Sequence, residues 1–68
     1  MSISARNQLK GTISDIVLGD VMAEVTVQVG ENIVDAIITR RSAEELKLKK
    51  GDSVIAVIKA TEVMVSKG

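Results

Sequence analysis

Thr39-Arg40-Arg41-Ser42-Ala43-Glu44-Glu45-Leu46-Lys47-Leu48-Lys49-Lys50-Gly51 is the one stretch of the chain that reads as a helix, and its place between strands decides the fold. Ser42 followed three residues later by Glu45 is a capping box, which predicts Ser42 as N-cap and Ala43 as the first helical residue. Glu44 and Glu45 near the start, Lys47, Lys49 and Lys50 near the end, and Gly51 at the stop agree with the helix dipole and a C-terminal glycine. Leu46 and Leu48 can face a core, and so short a helix must be held by that packing. The free N–H groups of its first turn favour an anion, although the two glutamates oppose one unless they point away. Taken alone, the segment is a plain cap.

Strands flank it on both sides. Leu9, Gly11 and Ile13 share one face, but beyond Asp15 the apolar pair is Ile16 and Leu18, so a long first strand with a bulge near Ser14-Asp15 is expected. After a Gly19-Asp20 turn, Val21, Ala23, Val25, Val27 and Val29 alternate with mostly polar residues in the clearest strand of the chain. Gly30-Glu31-Asn32 makes a short hairpin connection, and Val34, Ala36 and Ile38 supply the inward face of the third strand. Beyond the helix, Ser53 to Ala60 is apolar on both faces, so both should be covered, one of them by a neighbouring subunit. Glu62-Val63-Met64-Val65 reads as a short fifth strand. Three strands, one helix and two strands give an all-β chain with one short helix, in the order of a five-stranded, partly open OB-fold barrel.

Sixty-eight residues make a single domain, 1–68, which buries only about 60% of its unfolded surface. No cysteine or histidine is present to build a disulfide or the usual structural zinc site. Yet 46% of the residues are hydrophobic, without one aromatic or proline. Association is the remaining staple, and a closed homo-oligomer is expected. Nine basic and nine acidic residues cancel, so no field draws the chain to nucleic acid or to an anionic membrane. No run approaches the roughly 20 apolar residues of a membrane span, and Met1 to Arg6 lacks the apolar core of a leader. The expectation is a soluble cytoplasmic protein.

Several polar groups stand out by position. Ser4, Arg6 and Asn7 precede the first strand, Thr39 and Ser42 flank the helix start, and Lys59 ends an apolar strand in phase with Ile55 and Val57. Singly, each has a bland explanation: a terminus, a surface ion pair, a solvated strand end. Together, Ser4-Ala5-Arg6-Asn7-Gln8-Leu9-x-Gly11, Thr39-x-x-Ser42-Ala43 with Leu46-x-Leu48-x-x-Gly51, and Ala56-x-Ile58-Lys59-Ala60 resemble the molybdopterin-binding (Mop) family in its free-standing, single-domain molbindin form. The resemblance runs through essentially the whole chain in order. It implies an OB-like fold, a hexamer built as a trimer of dimers, and molybdate or tungstate, rather than the pterin, bound between subunits. It further implies that Ser4, Ala5, Arg6, Lys59 and Ala60 come from one subunit and Thr39, Ser42 and Ala43 from its partner. Intracellular storage or homeostasis of molybdenum is the implied role.

The residue chemistry suits such a ligand. A tetrahedral dianion offers only acceptor oxygens, and Arg6 and Lys59 donate charge-assisted hydrogen bonds. The Ser4, Thr39 and Ser42 hydroxyls can rotate to donate, and the Ala5, Ala43 and Ala60 amides sit behind small side chains. Rival functions fare worse. An OB-fold nucleic-acid binder stacks bases on aromatic side chains for about 1–3 kcal/mol per base, and this chain has none. An enzyme is not expected, since without His or Cys a nucleophile such as Ser42 lacks its commonest activating base. A purely structural oligomer remains the alternative, distinguished from an anion store by whether Arg6 and Lys59 converge across an interface.

Overall fold

The computed structural model describes residues 5–68. It is mainly β with one short helix, as expected: β1 (Asn7–Leu18), β2 (Met22–Val29), β3 (Asn32–Thr39), α1 (Arg40–Glu45) and β4 (Ser53–Ile58), followed by a 3-10 turn over Ala60–Glu62. The strands form one antiparallel sheet in the order β3-β2-β1-β4. β1 serves two neighbours in succession. Its first half pairs with β4, from Asn7 against Ile58 to Thr12 against Ser53, and its second half pairs with β2, from Thr12 against Gln28 to Leu18 against Ala23.

The bulge predicted from the change of apolar phase lies between Ile13 and Asp15. It lets Ile13 and Ile16 both turn inward, Ile13 to 1% exposure and Ile16 to half-burial. The bend also brings the Ile13 backbone against the chain entering β4, where its N–H donates to Asp52 O (2.9 Å) and its carbonyl accepts from Gly51 N–H (2.8 Å). Gly11 makes the curvature possible. A Cβ there would lie 2.5 Å from the Gln28 carbonyl oxygen and 2.7 Å from Val27 Cγ1.

The alternation expected in β2 and β3 is present from Met22 onward, but Val21, read as the first inward residue of the second strand, precedes it at 70% exposure. Ala23, Val25 and Val27 are buried, Val34, Ala36 and Ile38 are half-buried, and Ile33 and Ile37 face outward at 61% and 60% exposure. Ile13, Val25 and Val27 form the centre of the core, and Val34 and Ile38 of β3, Val54 of β4, and Leu48 from the segment after α1 close around it. β3 and β4 thus approach one core from two sides without pairing to each other.

Two expectations need correction. The fifth strand over Glu62-Val63-Met64-Val65 does not form in the single chain. Lys59 instead caps the 3-10 turn, and beyond it Met64 and Val65 stand 93% and 95% exposed. An apolar strand of this length needs an edge to pair with, and the turn carries it away from the edges of its own sheet. The helix also starts and stops earlier than read. Its N-cap is Thr39, extended at φ −71° and ψ 147°, so the chain passes from β3 into α1 without a loop. Its end is a paired closure in which Lys47 N–H reaches Glu44 O (3.1 Å) and Leu48 N–H reaches Ala43 O (3.1 Å), with Lys47 at φ 53°. Lys47, Lys49 and Lys50 therefore lie beyond the helix. Gly51, at φ 95°, serves the Lys49–Asp52 turn, in which Asp52 N–H donates to Lys49 O (3.1 Å).

Both special backbone positions lead to measurable outcomes. Gly11→Ala should destabilise the fold by about 1–3 kcal/mol through overpacking against β2, read as a lower urea midpoint with unchanged slope. Lys47→Gly should stabilise it by about 1 kcal/mol, because a left-handed backbone costs a side-chain-bearing residue that much, and the midpoint should rise.

Candidate functional site

The sequence-predicted site residues fall into two groups, and the sheet register separates them. Ser4 lies outside the described residues. The first group stands where β1 begins and β4 ends. The β1–β4 ladder ends at the pair of Asn7 with Ile58, so Arg6 and Lys59 each adjoin a residue of that last pair, and Ala60 already begins the 3-10 turn. Arg6, Lys59 and Ala60 are exposed and Ala5 is half-buried. Among the described residues the ion pairs are Arg40 with Glu44 and Arg41 with Glu45, and neither Arg6 nor Lys59 takes part in one. Like charges gathered at one end of a ladder repel. An anion between them removes that cost.

The second group is at the helix start. Thr39 Oγ1 accepts the Ser42 N–H (3.0 Å) and donates to Ser42 Oγ (2.8 Å), which leaves the Ser42 hydroxyl hydrogen free to donate outward. Thr39, not Ser42, is thus the cap, and the Ser42–Glu45 capping box is absent. The physical reason is the entry from β3. The Arg40 N–H is already satisfied by Val21 O (2.8 Å), which fixes the first helical residue three positions earlier than the capping box implied. Ala43 is buried at 3% exposure and seats the helix on the sheet. The earlier start also reverses the electrostatics. No acidic residue lies in the first turn, whose side chains are Arg40 and Arg41, and the two glutamates stand at the last turn. The glutamates leave the first turn in sequence, but Glu44 pairs with Arg40 (3.6 Å) and still opposes an anion beside the cap. An open depression of about 380 Å³ beside the cap is lined by Asp20, Val21, Thr39, Arg40, Arg41 and Glu44.

Within one chain the groups do not meet. Arg6 and Lys59 lie beyond the start of β1, whereas Thr39 pairs with Met22 of β2, next to the pair between Ala23 and Leu18 at the other end of β1. Twelve residues of β1 lie between, about 35 Å of strand before bending. β3 and β4 are also the two opposite edges of the sheet.

One contributor was missed in the sequence. Gln8 Nε2 donates to Ala5 O (2.8 Å) and so fixes the turn that presents Ala5 and Arg6. Its only sequence signal is its place directly after Ser4-Ala5-Arg6-Asn7.

The TOBE domain family matches residues 3–65, nearly the whole chain. This chain belongs to the TOBE domain family. Among its relatives, molybdenum-pterin-binding protein 1 of Clostridium pasteurianum is 48% identical over 66 residues, covering 96% of this chain and 97% of that protein. The Mop resemblance read from the sequence agrees with these names. The TOBE fold seen here superimposes on a molybdate-binding protein from Sporomusa ovata with a TM-score of 0.94 and 43% identity, covering 98% of this chain and 100% of that one. It also matches the cytoplasmic molybdate-binding protein ModG in a molybdate-bound form, with a TM-score of 0.84 and 46% identity, over 88% of this chain and 43% of ModG. No helix among the described residues is long and apolar enough to cross a membrane.

The cap assignment has a direct test. Thr39→Ala should cost about 1 kcal/mol of stability, the usual worth of a hydroxyl N-cap, and Ser42→Ala clearly less. Thermal unfolding of the two variants compares them, and the opposite order would return Ser42 to the cap.

Proposed function

We propose that this chain, a single domain over residues 1–68, binds molybdate or tungstate at sites completed between two copies of itself. The observation that carries this reading is that Arg6 and Lys59, each directly beyond a residue of the last β1–β4 pair, Asn7 with Ile58, form no ion pair among the described residues. Relatives over nearly the full chain length that carry molybdenum- and molybdate-binding names support the choice of ligand. In this reading Ser4, Ala5, Arg6, Lys59 and Ala60 of one copy and Thr39, Ser42 and Ala43 of another surround the anion. The first set provides charge and the second provides the hydroxyls. Neither is sufficient alone. A dianion held only by two exposed cations is screened by salt within about 8–10 Å, whereas a site closed by a second chain excludes water and strengthens every hydrogen bond to it.

The assembly proposed is a hexamer arranged as a trimer of dimers, and the role is storage or homeostasis of molybdenum in the cytoplasm, without catalysis. Discrimination against sulfate follows from cavity size, since molybdate and tungstate are larger tetrahedra with the same charge and the same acceptors.

Arg6→Ala and Lys59→Ala should each weaken molybdate binding by roughly 10- to 100-fold, the equivalent of the about 1.5–3 kcal/mol carried by a hydrogen bond to a charged group. Titration calorimetry measures the affinity and light scattering the assembly, which should keep its mass. Unchanged affinity in both variants would refute the site, and equal affinities for sulfate and molybdate would refute the size argument.

A further inference from the structure

The hydroxyl half of the proposed site stands on two different supports. Thr39 is the last residue of β3 and pairs with Met22 of β2, so the ladder holds it. Ser42 lies a turn further on, in a helix of six residues that is too short to be stable alone. Ala43 is the buried residue of that helix, and Leu46 just beyond it is 67% exposed. Packing therefore fixes α1 at one point, about which it can still pivot. The Ser42 hydroxyl is placed only as well as the helix is.

Arg40 supplies a second point. Its backbone N–H donates to Val21 O (2.8 Å) and its Nη1 to Gly19 O (3.2 Å), both in the turn between β1 and β2. That turn is itself closed by Gly19 N–H to Met22 O (2.8 Å). The Nε of the same guanidinium meets Glu44 Oε1 at 3.6 Å, one helical turn along. One rigid, planar group thus bridges the helix and a hairpin turn 21 residues away in sequence. Arg41 is a built-in comparison. It stands in the same helical turn and pairs with Glu45 at 3.3 Å, also four residues on, but its side chain is 88% exposed against 40% for Arg40. An exposed pair within a helix is worth little, so what sets Arg40 apart is the bond to Gly19.

We infer that Arg40 is a positioning residue of the proposed oxyanion site. It acts through Ser42 rather than on the anion. By tying the first turn of α1 to the Gly19 and Val21 carbonyls, it holds Ser42 Oγ in the place where that hydroxyl and Thr39 together meet the ligand. Without the tether the helix pivots, and each binding event must freeze that motion again. This inference rests on the reading that Thr39 and Ser42 help to bind the anion.

Molybdate titration calorimetry on the assembled protein tests it, with light scattering to verify an unchanged mass. Arg40→Ala should weaken binding by roughly 3- to 10-fold, the worth of one net hydrogen bond. Arg41→Ala removes the same charge from the same turn and should weaken it clearly less. Arg40→Lys keeps the charge but lacks the planar fork, and it should fall with Arg40→Ala. In chains that already carry Ser42→Ala, the effect of Arg40→Ala should disappear, because nothing remains to be positioned. A loss caused only by leaving Glu44 unpaired would persist there. Equal losses in Arg40→Ala and Arg41→Ala, native affinity in Arg40→Lys, or an undiminished effect of Arg40→Ala in Ser42→Ala chains would each overturn the inference. Weakened binding in Arg6→Ala with full binding in Arg40→Ala overturns it and spares the site, whereas full binding in Arg6→Ala, Lys59→Ala and Arg40→Ala alike removes both.

Discussion

The whole arrangement depends on β1 pairing with two different strands along its length. A straight strand would carry β2 and β4 on its two edges over the same residues. The bulge between Ile13 and Asp15, with Gly11 pressed against the Gln28 carbonyl, bends β1 so that its first half belongs to β4 and its second to β2. One consequence is the curled sheet around Ile13, Val25 and Val27. The other is the distance between the two polar clusters, since each is fixed to its own end of β1. A site drawing on both must be built from two chains, and the demand for association comes from the ladder as much as from the apolar surface.

That surface makes the same demand independently. The fully buried aliphatics are few, and Ile33, Ile37, Ile55, Val57, Met64 and Val65 all remain outside. A chain without aromatic, disulfide or metal has no other means of hiding them. Exposed aliphatic edges are also an aggregation hazard, which a closed set of symmetric contacts removes. In the assembly proposed here, the ligand site and the stabilising contacts share the same interfaces, which would couple anion binding to assembly by mass action.

Much of this was legible in the sequence, for identifiable reasons. The period-2 alternation of β2 and β3 survives intact because their faces have distinct environments, and the shift of phase from Ile13 to Ile16 announced the bulge. The helix boundaries were misread because Ser42 and Glu45 satisfy a local capping pattern, whereas the actual cap is set by a nonlocal bond from Arg40 N–H to Val21 O. No window around residue 42 contains Val21. The left-handed Lys47 was hidden likewise, since the pattern pointed to Gly51 four residues on. The segment over residues 62–65 has strand composition but finds no partner in its own chain, and composition alone does not say which chain supplies the edge. The candidate site residues and their order were read from the sequence, whereas their division between subunits is implied by the Mop resemblance alone. Their separation along β1 comes from the register.

The central claim is that each anion site takes one half from each of two chains. Co-refolding Arg6→Ala chains with chains carrying both Thr39→Ala and Ser42→Ala, followed by molybdate titration, tests it most directly. Each variant alone should bind weakly. Mixed oligomers should regain a fraction of sites at native affinity, because the intact cationic half of one variant meets the intact hydroxyl half of the other. Mixed oligomers verified by native mass spectrometry that regain no such sites would contradict the account.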